Sequence, residues 1–147
     1  MSAVLEAEVL VAKDAIRELM ARYAMALDSC RFADVAACFA PDGAWTTNYG
    51  AARGPAEIEK FISGIVPVKG EGPQRKHYIT NIIITVDGDT ASAMSDYLVV
   101  RESENGLMPV MGGTYHDSFV KTAAGWRFSA KELEHHIWGD MALKNGR

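Results

Sequence analysis

The sequence predicts an α+β domain, helices first and a curved antiparallel sheet after, closed around a pocket. Three observations carry that expectation. Apolar residues recur at helical spacing through the first half, the period turns to alternation after about residue 73, and the alternating runs are joined by connections of a few residues. A chain of 147 residues is of ordinary size for one domain and needs no metal or disulfide to staple its core.

The first helix is expected over Val11–Leu27, where Ile16, Leu19, Met20, Tyr23 and Leu27 repeat every three or four positions. A second, short helix is expected over Ala33–Phe39, ended by a turn at Pro41-Asp42-Gly43. Ala44–Asn48 reads as a short strand carrying Trp45. Gly54-Pro55 opens a third helix, because proline suits the first helical position; its inward face is Ile58, Phe61, Ile62 and Ile65. The stretch Pro67–Pro73 is a loop. Four long strands follow at Gln74–Val86, Thr90–Arg101, Leu107–Lys121 and Trp126–Ile137, separated by Asp87-Gly88-Asp89, by residues 103–106 and by residues 122–125. Connections this short make an antiparallel meander. Gly112-Gly113 inside the third long strand marks a bulge or bend. A bent sheet cannot bury its own concave face, so the helices are expected to close it and leave a cone with an interior.

Composition excludes several classes of function. The formal charge is -4, the sequence pI is about 5.5, and the densest basic spot is Arg75-Lys76, which is no footprint for nucleic acid. No apolar run is long enough to span a bilayer. The first thirteen residues carry Glu6 and Glu8 and lack the basic start of a signal peptide. Cys30 and Cys38 match no zinc spacing and suit a reducing compartment. The expectation is a cytoplasmic protein.

Three residues are candidates for chemistry. Asp28 follows the last apolar turn of the first helix, where the helix dipole disfavours an anion; capping of the next helix by Asp28 or Ser29 is the plainer explanation. Alternation places His77 on one face with Ile79, Asn81 and Ile83. A histidine among isoleucines must be hydrogen-bonded, as a structural residue or as a general base. Tyr23 precedes Asp28 by five residues, about 140° of helical rotation, so the two share a face only if Asp28 lies past the helix end. Core packing is its alternative. His135-His136 with Asp140 suggests a metal only superficially, because adjacent strand residues point to opposite faces; no metal site is expected. No phosphate-cradling, nucleotide or nucleophile-elbow motif is present.

An ordered set of short pieces runs along nearly the whole chain: Arg22-Tyr23 through Leu27-Asp28, Phe39 to Trp45, Arg53-Gly54-Pro55, Lys76-His77-Tyr78, Gly112 to Tyr115 with Asp117, and Gly125 to Phe128. In this order they resemble the SnoaL-like branch of the NTF2-like (cystatin-like) superfamily. The resemblance implies a helix-closed conical fold and joins His77 and Asp28 into one dyad with Tyr23 beside it, as in the dehydratase and dehydrochlorinase members. It implies a cofactor-independent lyase, of dehydratase type, acting on a small hydrophobic cyclic or aromatic molecule. Trp45, Met111, Tyr115 and Lys131 are expected to contact that molecule. Two other readings stay open: a double-bond isomerase or cyclase in the same pocket, and a ligand-binding protein or oxygenase small subunit without catalysis. The resemblance also implies a homotrimer or homodimer.

Overall fold

In the computed structural model, which describes residues 2–144, three helices lie against one face of a curved, open sheet of six strands. The order is α1 (Ala3–Asp28), α2 (Phe32–Ala37), β1 (Phe39–Thr47), β2 (Gly50–Arg53), α3 (Pro55–Ile65), β3 (Arg75–Asp87), β4 (Thr90–Ser103), β5 (Gly106–Thr122) and β6 (Gly125–Trp138). Across the sheet the strands run β2-β1-β6-β5-β4-β3. The four long strands form the expected antiparallel meander, each within two residues of its sequence-derived ends. The sheet as a whole is mixed, because β1 lies parallel to β6.

Helix α1 begins eight residues before the expected start, with the Ser2 hydroxyl accepting from the Leu5 N–H at 3.3 Å. Its early apolar residues Val4, Leu5, Leu10 and Val11 stay exposed, so they add no inward period that a sequence reading could follow. From Ala12 onward, Ile16, Leu19, Met20, Tyr23 and Leu27 face the core. Helix α2 ends at Ala37, two residues earlier than expected, with Cys38 as its C-cap. In α3, Ile58 and Ile62 are buried, with Phe61 and Ile65 partly so.

Pro41-Asp42-Gly43 does not separate a helix from a strand. It is looped out of β1, whose register against β6 jumps between Phe39 and Ala44, and the Gly43 carbonyl accepts from the Gly54 N–H at 2.7 Å. Strand β2, which the sequence did not signal, pairs back on β1 through the turn Asn48-Tyr49.

The strand carrying His77 departs from simple alternation. Between Thr80 and Ile83 the β3–β4 register slips, with Asn81 at φ 53°. Three steps on β3 there match two on β4, so the inward set changes from odd to even residues. Arg75, His77 and Ile79 face inward before the bulge, Ile82, Ile84 and Val86 after it, and Ile83 is 71% exposed. Placing Asn81 and Ile83 beside His77 is therefore corrected. The bulge expected at Gly112-Gly113 is present in the β5–β6 pairing.

Within the concave side, Phe39, Phe119 and Phe128 pack with the Tyr23 ring at the narrow end. Residues 139–144 follow β6 as a strap, bonded to β5 through Gly139 and Val110 and to the end of α3 through Lys144 and Ile65, with Met141 and Leu143 buried on the concave side. Among the described residues no helix is long and apolar enough to cross a membrane.

Candidate functional site

Asp28 closes α1, and its carboxylate reaches across to the first inward positions of β3. It accepts the His77 backbone N–H on both oxygens at 3.0 Å and the His77 Nδ1–H at 2.6 Å. Those three bonds satisfy the carboxylate where the helix dipole alone would disfavour it. Asp28 caps nothing: α2 starts at Phe32, with Arg31 in the N-cap position and no side-chain cap bond. The two side chains are 8% and 10% exposed, so the pair works in a medium drier than bulk water. With Nδ1 held as a donor, Nε2 is the basic nitrogen of the neutral ring. It has no hydrogen-bond partner among the described residues, and His77 lines the cavity.

That cavity is lined by α1, α3, the concave sheet and the strap. Tyr23, Trp45, Met111 and Tyr115, all expected at the site, line it together with His77. The Trp45 indole N–H donates to the Tyr23 hydroxyl oxygen at 3.0 Å. The Tyr23 proton is thereby left to donate elsewhere, and burial pushes the phenol up from its ordinary range, so the group stays a neutral donor.

Lys131 does not contact the cavity, which corrects its expected role. Its ammonium is fully buried and donates to both Asp117 oxygens at 3.1 and 3.2 Å. It lies 3.5 Å from the Tyr115 ring centre and 4.6 Å from that of Tyr23. A cation so placed is attracted to ring faces, so Lys131 supports the two tyrosines from behind. Burial pushes Lys131 down and Asp117 up, and each is drawn back by the other.

Two further polar groups in the wall escaped the sequence reading. His135 donates from Nε2 to the Thr47 hydroxyl at 3.0 Å, because the Thr47 proton goes to Asn48. Its Nδ1 then accepts the Tyr97 hydroxyl proton at 2.5 Å. Burial holds His135 below its ordinary range, which favours this neutral form. Opposite facing of adjacent strand residues does separate His135 from His136, which is exposed beside Glu134. Arg75 is the other omission. It lies two residues from His77 on one strand face, and the same alternation that placed His77 places it in the wall. No cluster of three or more metal-binding side chains occurs among the described residues.

Known proteins agree with this architecture. Residues 8–132 match the family model described as a SnoaL-like domain. An uncharacterised protein of Mycobacterium tuberculosis, Rv2910c, is 32% identical over 115 residues, covering 76% of this chain and 77% of its own. Among solved structures, Rv3472, a protein of unknown function from the same species, superposes with a TM-score of 0.80 at 24% identity, covering 92% of this chain and 77% of that one. An NTF2-like protein with a cystatin-like fold from Novosphingobium aromaticivorans gives 0.78 at 26% identity, with 88% and 85% covered. With five-sixths of its length matched and its helix-on-curved-sheet architecture shared, the chain belongs to the SnoaL-like domain family, on the NTF2-like, cystatin-like fold.

Proposed function

We propose that the cavity performs cofactor-independent proton transfer leading to elimination, a dehydratase-type reaction on a small hydrophobic cyclic or aromatic molecule. The observation that carries this reading is the buried Asp28–His77 pair at 2.6 Å, with Nε2 as the unpartnered nitrogen in a mostly apolar cavity. The SnoaL-like family holds polyketide cyclases and dehydratases as well as subunits of ring-hydroxylating dioxygenases, so the family accommodates it.

The steps balance without another reagent. His77 Nε2 takes a proton from the carbon next to a ring carbonyl, and Asp28 steadies the imidazolium that forms. The electron pair moves onto the carbonyl oxygen, which the Tyr23 hydroxyl stabilises by hydrogen bonding. As the enolate collapses, the bond from the β-carbon to its hydroxyl breaks, and the departing oxygen takes the proton back from His77 as water. Returning that proton to another carbon would instead give an isomerase.

Cyclic β-hydroxy ketones in heavy water test both outcomes, with enone absorbance reporting elimination and NMR reporting deuterium incorporation. His77→Ala and Asp28→Asn are each expected to lower the rate by about 10²–10⁴-fold. Equal rates for wild type and His77→Ala on every active substrate would overturn the assignment.

A further inference from the structure

We infer that Arg75 is an anion-binding residue of this cavity, and that the molecule accepted there carries a carboxylate about 7 Å along β3 from the atom facing His77. This rests on the reading of the cavity as a substrate pocket and adds the chemical class of the substrate.

Arg75 is 7% exposed and is the single permanently charged side chain among the lining residues. No carboxylate pairs with it among the described residues. Its guanidinium donates from Nη1 to the Met141 carbonyl at 2.9 Å and from Nη2 to the Pro73 carbonyl at 3.0 Å. Those use two of its five donors. A buried cation with no carboxylate in hydrogen-bonding contact among the described residues is costly. Burial is the main influence pulling this one down from its ordinary range, and the more distant Asp28 carboxylate, already bonded to His77, only partly opposes it. Anchoring of the strap alone would not require a permanent charge, because neutral amides serve backbone carbonyls equally well. An incoming carboxylate satisfies both the charge and the fork geometry of the guanidinium.

Position supports the same conclusion. Arg75 and His77 are separated by one residue and face inward from the same strand, before the bulge at Asn81 changes the facing set. The other cationic side chain of the interior, Lys131, is already neutralised by Asp117. The Met141 carbonyl stands at the guanidinium as an uncharged oxygen that a carboxylate oxygen would replace when the strap moves.

Benzoate and benzamide are the probes, equal in shape and different in charge, with binding to the full chain followed by calorimetry. Wild type should bind benzoate about tenfold to a hundredfold more tightly, the range of a charge-assisted bond. Arg75→Gln should erase the preference, and Arg75→Lys should keep part of it. His77→Ala should keep it whole, which separates this inference from the proton-transfer reading: loss of turnover there with the preference intact leaves the anion site standing. If Arg75→Gln fails to fold, the wild-type ratio and the Arg75→Lys ratio decide. Equal affinity of wild type for the two probes, binding of neither, or a preference surviving in Arg75→Gln overturns the inference.

Discussion

At the scale of single residues, the interior pairs one carboxylate with an imidazole and another with an ammonium, with different consequences. Asp28 and His77 lie at the cavity wall, whereas Asp117 and Lys131 are sealed behind it. Breaking one partner of a sealed pair leaves an uncompensated charge, which costs about 3–5 kcal/mol. Lys131→Met and Asp117→Leu should each lower stability by that order in urea denaturation. The double variant should recover most of it, since an apolar pair of similar volume carries no charge to desolvate. Single losses below about 1 kcal/mol would mean that water reaches the pair. The same contrast explains what the sequence disclosed. Nothing local to Lys131 signals its partner, because Asp117 meets it only through β5–β6 register. Asp28 likewise looks like a cap until β3 is brought against the end of α1; family resemblance, not periodicity, joined it to His77.

At the scale of elements, the four long strands were legible because alternation and short turns are local signals. The parallel β1–β6 pairing and the Asn81 bulge were not, because both are settled by what lies across the sheet. The two glycines of β5 show how such a constraint reaches the site. A Cβ on Gly113 would come within 2.1 Å of the Glu134 carbonyl oxygen and 2.7 Å of the Tyr97 hydroxyl. One on Gly112 would crowd the Ile137 side chain, at 3.2 Å, and touch the Tyr97 carbonyl oxygen at an ordinary 3.6 Å; Ile137 is exposed and free to turn away. Gly113→Ala should therefore destabilise by about 1–3 kcal/mol and disturb the Tyr97–His135 hydrogen bond. Gly112→Ala should stay within about 0.5 kcal/mol. Thermal unfolding of the pair tests this directly, and equal midpoints would show that the bulge relaxes without cost.

At the scale of the whole molecule, the cone is closed more tightly than its proposed chemistry requires. The cavity holds about 50 Å³, room for roughly three to five waters, whereas a dry cavity of about 150 Å³ is the size that accepts benzene. Met141 and Leu143 take up part of the space, lining the cavity from the strap as buried side chains. Among the described residues the strap is held by scattered single bonds: Gly139 N–H to the Val110 carbonyl at 2.7 Å, Lys144 N–H to the Ile65 carbonyl at 2.9 Å, Arg75 to the Met141 carbonyl, Arg101 to the carbonyl and carboxylate of Asp140, and the Lys144 ammonium to the Ser63 carbonyl and Glu71. It belongs to no strand ladder, and Ala142 adopts φ 51°, a conformation that costs a residue with a Cβ. Segments with such sparse anchoring open at lower free energy than the global transition. Hydrogen exchange should show the Gly139 and Lys144 amides exchanging well ahead of the β4–β5 ladder. Arg101→Gln, which removes the contacts to Asp140, should speed those two amides further and leave the ladder unchanged. If instead strap and ladder amides accelerate together, the strap opens only when the sheet does, and entry to the cavity must lie elsewhere in the fold.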